Sequence, residues 1–162
     1  MNQKPILHFF CGKMAAGKST LAKKIAAETT AVLISEDVWL STLYPEEIND
    51  FNDYLTYSSR LKAIVLPHVQ SLLRQGLPVV LDFPGNTPNQ RAWFRSIFEP
   101  VRANHVLHYV EASDERCKQQ LRKRNQSQPE GAAFTTEAEF NAITQYFQPP
   151  TAAEKFTLKT YS

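Results

Sequence analysis

Glycine and cysteine are scarce in this chain of 162 residues, and each scarcity excludes something. The five glycines, at 12, 17, 76, 85 and 131, each fall at a break between apolar segments. They punctuate the chain and leave no Gly-rich linker or low-complexity tract to divide it. Two cysteines, Cys11 and Cys117, are too few for a disulfide framework, and without a CxxC pair or a Cys/His cluster they offer no zinc site. An excess of one charge is missing too. A net charge of +2 is too small for a general nucleic-acid or membrane-surface binder. No apolar run approaches the about 20 residues of a membrane-spanning helix. The N-terminal run "ILHFFC" is too short for a secretory signal. These absences predict a single reduced, cytoplasmic domain over 1–162. Its 43% hydrophobic and 21% charged residues are ordinary for a globular protein that buries its own core.

Short apolar runs alternate with helical periodicity. "ILHFFC" (6–11), "AVLIS" (31–35), "PVVLDF" (78–83) and "HVLHYVEA" (105–112) read as buried strands, and "KFTLKT" (155–160) as an edge strand. Between them, the stretch after Gly17, the long stretch from Phe51 to Gly76, "RAWFRSIF", "SDERCKQQLRKRN" and "TEAEFNAITQYF" carry helical spacing. Pro67 is expected to kink or split the long helix, and Ser113 to cap the fourth of these helices. Alternating strands and helices give a parallel sheet covered on both faces.

One motif is present in full. "GKMAAGKS" (12–19) satisfies G-x-x-x-x-G-K-[ST], after a predicted strand and before a predicted helix. Such a loop must point its N–H groups inward at phosphate oxygens, which demands dihedrals that glycine tolerates best. The expected nucleotide-binding residues are Gly12, Lys13, Met14, Ala15, Ala16, Gly17, Lys18, Ser19 and Thr20. Lys18 supplies charge at the β- and γ-phosphates, Ser19 a hydroxyl for Mg²⁺, and the following helix its N-terminal partial charge.

What becomes of the γ-phosphate depends on residues elsewhere. "DFPG" (82–85) mimics a GTPase switch element, but no NKxD-type guanine reader follows the fourth strand and no switch threonine is recognisable. ATP is the expected donor. Asp37 and Asp82 fall at the carboxyl ends of the second and third strands, the edge where an open parallel sheet binds ligands. Asp37 is expected to orient the acceptor hydroxyl and take its proton, with capping by Asp37 beside Ser35, or an acid role for Glu36, as alternatives. Asp82 is expected to hold Mg²⁺ through water, the alternative being a bond to the P-loop backbone. "RCKQQLRKR" (116–124) packs five cations into nine residues. It is either a solvated helix face or the start of a cationic lid around 122–133, with Arg124 as first choice for the transferring phosphoryl group and Arg122 as second. Without interleaved aromatics the run does not favour a nucleic-acid acceptor.

The segments "GKMAAGKST", "ISEDVW", "VVLDF" and "CKQQLRKRN", in this order, resemble the P-loop kinase-like ATP-binding proteins of the zeta-toxin, chloramphenicol-phosphotransferase and polynucleotide 5′-kinase group. The resemblance extends over nearly the whole chain. It implies a three-layer α/β/α P-loop fold with a five-stranded parallel sheet of order 2-3-1-4-5. It also implies ATP with Mg²⁺, an acceptor-side aspartate at Asp37, and a lid arginine at Arg122 or Arg124. A basic residue shortly after the aspartate, which contacts the acceptor in polynucleotide kinases, has no counterpart in "DVWLSTLY". The expected acceptor is therefore a small hydroxyl compound, with Trp39, Tyr44, Tyr54 and Tyr57 as either pocket or core; a polynucleotide or nucleotide-sugar kinase, and an ATP-binding regulatory protein with negligible turnover, are the alternatives. Whether the chain is a monomer or a dimer is left open.

Overall fold

A computed structural model describes residues 4–127 and 136–162. Its strands are β1 (Ile6–Cys11), β2 (Val32–Ser35), β3 (Val79–Asp82), β4 (Asn104–Val110) and β5 (Leu158–Tyr161). All pair in parallel, in the order β2-β3-β1-β4-β5. The expected fold class and strand order are thus observed, with the "KFTLKT" strand at the edge beside β4. The helices are α1 (Lys18–Thr29), α2 (Glu36–Leu43), α3 (Phe51–Arg74), α4 (Pro88–Phe98), α5 (Asp114–Ser127) and α6 (Glu137–Thr144).

The period-2 alternation of β1 sends its side chains to two different cores. Leu7, Phe9 and Cys11 join Leu61, Val65 and Val69 of α3 and Phe94, Ile97 and Phe98 of α4 on one face. Phe10, with Val80 of β3, packs against Ala22 and Ile25 of α1 on the other. Helices therefore cover both faces, and every strand ends at the edge where the P-loop begins.

Several local expectations shift. Pro67 does not split the long helix, which runs unbroken from Phe51 to Arg74. Ala63, whose carbonyl loses its partner to the proline ring, is exposed, as is Pro67, so the freed carbonyl faces solvent and not the core. Residue Ser35, not Asp37, caps α2, its hydroxyl accepting the Val38 N–H at 3.4 Å. Helix α6 stops at Thr144, short of the end of "TEAEFNAITQYF", and of Phe140, Ile143 and Phe147 in that stretch only Phe140 is buried. Ser113 does cap α5, accepting the Arg116 N–H at 3.2 Å. Residues 128–133 of the expected lid lie outside the described residues.

A polar chain crosses the sheet near its edge. His8 Nδ1 lies 2.9 Å from His108 Nε2, and His108 Nδ1 lies 2.8 Å from the Tyr161 hydroxyl. Burial, then the neighbouring charges of His8 and Lys159, lower His108 from the ordinary 6.5 to about 4. Between these values the unfolded chain binds the proton that the folded one refuses. Stability is therefore full above pH 6.5 and declines as the pH falls toward 4. The unfolding midpoint is expected to drop by about 5 °C between pH 7 and pH 4.5, and by less in His108→Gln. Equal drops in the two proteins would contradict this account.

Candidate functional site

The two glycines of the P-loop are required for different reasons. A Cβ on Gly12 would lie 2.9 Å from the carbonyl oxygen of Val110 at the end of β4, so the loop enters pressed against a neighbouring strand. Gly17 has open space around it, but its φ of 107° is the left-handed region that favours glycine. Ala15 is also left-handed, at φ 63°, and the Ala16 N–H closes a turn onto the Lys13 carbonyl at 3.1 Å. Left-handed residues set among right-handed ones curl successive N–H groups into a concave anion nest. The N-terminus of α1 adds its partial charge there.

Side chains hold this nest in place. Met14, Ala15 and Ala16 lean on Cys117 and Leu121 of α5 and on Phe140 of α6. Lys13 pairs with Asp114 at 2.8 Å. The Lys18 ammonium donates to the Gly12 carbonyl. Burial lowers its pKa from the ordinary value, opposed by Cys11, Asp82, Cys117 and Asp37. Ser19 and Thr20 are exposed in the first turn of α1.

The two aspartates come to the same level. Ser35 pairs with Asp82 in the β2–β3 register, which places Asp37, two residues into α2, beside the end of β3. Desolvation by surrounding protein raises the Asp37 carboxyl above the ordinary aspartate value, and the like charge of Asp82 adds to this. Arg124 and Lys18 oppose it. Lys18, Asp37, Asp82 and Arg124 thus form one electrostatic group. Arg122 is placed differently: its guanidinium pairs with Glu137 of α6 at an exposed position.

For Mg²⁺ the donors fit in kind. Among the described residues no three His, Cys, Asp or Glu side chains gather as a protein cage. A hydroxyl at Ser19 and a carboxylate at Asp82 suit an ion that keeps waters and takes its remaining oxygens from phosphates.

Glu36 is fully buried. One carboxylate oxygen accepts from the Tyr54 hydroxyl and the other from Ser58 at 2.7 Å, so it ties α2 to α3 and is not available as an acid. The aromatic residues are mostly packing: Tyr54 serves Glu36, Tyr44 and Tyr57 stack with centroids 4.3 Å apart, and Trp39 lies against the core.

Asn86 and Arg91 went unnoticed in the sequence, and Gly85 was read as part of a mimicked GTPase switch. Asn86 Oδ1 accepts the Gly12 N–H at 2.9 Å, tying the β3–α4 loop to the P-loop. A Cβ on Gly85 would lie 2.3 Å from the Phe10 carbonyl oxygen, so this loop is pressed onto β1. The "DFPG" glycine is there for close packing. Arg91, wholly buried, donates to the Gly85 carbonyl at 2.9 Å, the Gln148 carbonyl at 2.8 Å and the Glu154 carboxylate at 2.8 Å. The signal for Asn86 was its place, four residues past a strand-end aspartate. For Arg91, one charge among apolar residues in a helix gave none.

Beside the P-loop, a cleft of about 660 Å³ opens at the end of β4, lined by Lys13, Tyr109, Glu111, Arg116, Phe147 and Pro149 among others.

Over residues 7–150 the sequence matches the family described as AAA domain. No curated protein matches it. Among solved structures it resembles Kti12 of Chaetomium thermophilum in complex with ADP-AlF3, with TM-score 0.72 and 15% identity over 96% of this chain and 88% of that one. It also resembles a gluconokinase of Sinorhizobium meliloti 1021, with TM-score 0.64 and 13% identity over 98% and 83%. A chain of the Pnkp1/Rnl/Hen1 RNA repair complex is similar as well, with TM-score 0.68 and 15% identity over 90% of this chain and 45% of that one. At these identities the likeness establishes the P-loop kinase-like fold.

Since Arg124 lowers the Asp37 pKa and Arg122 is engaged elsewhere, the two arginines separate in a pH profile. The acid limb of kcat/KM for any stimulated ATP turnover is expected above the ordinary aspartate range. It should move further up in Arg124→Ala and stay in place in Arg122→Ala. A limb unmoved by Arg124→Ala would detach that residue from Asp37.

Proposed function

The chain belongs to the AAA domain family, and on that premise we propose that it is an ATP-dependent phosphotransferase, moving the γ-phosphate of Mg-ATP to a hydroxyl of a small-molecule acceptor. One observation carries the reading: the Ser35–Asp82 register sets Asp37 and Asp82 side by side at the sheet edge where the P-loop, left-handed at Gly17, opens α1. The charges of Asp82, Arg124 and Lys18 act on Asp37 there. Phosphoryl transfer asks for little more than such a set, because catalysis is mostly positioning and charge stabilisation.

Each residue then has a task. The P-loop N–H groups and Lys18 hold the β- and γ-phosphates. Ser19 and Asp82 would hold Mg²⁺, which would supply charge neutralisation to the phosphates. Asp37 orients the acceptor hydroxyl and takes its proton, a role its raised pKa suits, since a stronger base accepts the proton more readily. Arg124 faces the transferring phosphoryl group, with Arg122 in reserve through α5. The cleft beside Lys13 takes the nucleoside, with Phe147 as an aromatic wall.

A polynucleotide acceptor is less favoured. The cations of α5 do not form a stripe: Lys118 lies over the Phe140 ring at 5.9 Å, Arg122 pairs with Glu137, and Arg116 lines the nucleoside cleft.

A screen of hydroxyl compounds, with a 5′-hydroxyl oligonucleotide as one member, followed by ADP release, tests the proposal. One small compound should stimulate turnover. Asp37→Ala should reduce the stimulated rate by about 10²-fold or more while Mg-ATP binding, measured by calorimetry, persists. Lys18→Ala should lose Mg-ATP binding with an unchanged circular dichroism spectrum. If no acceptor stimulates ADP release and Asp37→Ala alters neither binding nor hydrolysis, the protein is an ATP-binding regulator and not a kinase.

A further inference from the structure

One half-buried cation of α3 is not used by any step above. Lys62 lies on α3, one turn beyond Ser58, and is half-buried. Glu36 is the carboxylate whose charge reaches it. Both oxygens of Glu36 already accept from Tyr54 and Ser58. Among the described residues no carboxylate lies within 4.0 Å of the Lys62 ammonium. The ammonium instead sits over the Trp93 ring, 5.3 Å from its centroid. Trp93 stacks at 5.3 Å on Phe83, the residue after Asp82. Lys62 thus lies near Glu36, the residue before Asp37, and reaches through Trp93 to Phe83, the residue after Asp82.

We propose that Lys62 anchors an anionic group of the acceptor, so that the substrate is a small hydroxyl compound carrying a carboxylate or a phosphate. This rests on the kinase reading of the same site. A half-desolvated ammonium gains more from an incoming anion than one fully hydrated, because the water it gives up is already reduced. Desolvation lowers the Lys62 pKa, in keeping with such a setting, and the ring beneath offers only a weaker cation–π partner. The other basic residue on this stretch of α3, Arg60, lies over the Tyr57 ring at 5.1 Å, and α2 carries no cation at all.

Two measurements test this. In the first, gluconate, glycerate and glycerol 3-phosphate are compared with glucose and glycerol as stimulators of ADP release. An anionic compound should be preferred, and the carboxylate and phosphate arms separate the two sources of charge. Lys62→Met should raise the KM of the preferred acceptor at least about ten-fold, leaving the ATP KM and the unfolding midpoint unchanged, and Lys62→Arg should recover part of the loss. Neutral compounds serving equally well, or an unchanged acceptor KM in Lys62→Met, would overturn the anchor.

The second measurement needs no turnover. In a Trp39→Phe background, Trp93 fluorescence is titrated with inorganic phosphate and with gluconate in the presence of Mg-ADP. A saturable change lost in Lys62→Met supports the anchor, even in a protein that phosphorylates nothing, where only the kinase reading falls. No change in the parent protein overturns the anchor, even if a neutral acceptor is phosphorylated.

Discussion

The site depends on one close approach, that of the β3–α4 loop onto the end of β1. Gly85 comes so near the Phe10 carbonyl that a side chain there would collide with it, and Asn86 then receives the Gly12 N–H. The first residue of the phosphate cradle and the strand that ends in Asp82 are joined by this contact. The separation between the anion nest and Asp82 is therefore set by a backbone approach at Gly85 and one hydrogen bond to the Asn86 side chain. Preorganisation of this kind is what electrostatic catalysis requires.

A buried arginine maintains the contact from below. Arg91 holds the Gly85 carbonyl and the Gln148 carbonyl, and its charge is met by Glu154. Such a group is costly to bury unless nearly every donor is satisfied, and here the loop after β3 and the segment after α6 supply the acceptors. The segment leading into β5 is thereby fastened to the P-loop edge. Glu36 does similar work between α2 and α3. Its two hydroxyl partners fix α3 against α2, setting the direction in which the next residue, Asp37, faces.

Much of this was legible in the sequence. Apolar strand runs, a complete P-loop and two strand-end aspartates were enough for a parallel sheet and for the positions of Lys18, Asp37 and Asp82, while the strand order rested on the family resemblance. Apolar periodicity and glycine placement are local signals, and they dominate where elements are regular. What stayed hidden is tertiary. Nothing local distinguishes Arg91, wholly buried, from Arg95, which also sits on α4, since burial is decided by what the rest of the chain lays over it. Glu36 and Asp37 are adjacent acids with opposite fates, one turned into the core and one kept at the edge. The strand ends only where Ser35 caps α2, and that single-residue boundary decides between them. Pro67 misled for the converse reason, because at this exposed position the carbonyl it frees faces solvent and not the core.

The central claim is that Asp37 and Arg124 act on a phosphoryl group seated in the P-loop. A crystal structure with Mg²⁺, ADP and aluminium fluoride observes it most directly. The account predicts the fluoride plane above Lys18, the Arg124 guanidinium within hydrogen-bonding distance of a fluorine, and the Asp37 carboxylate on the ligand at the attacking apex. Nucleotide bound with Asp37 and Arg124 both out of reach of the fluoride would contradict it.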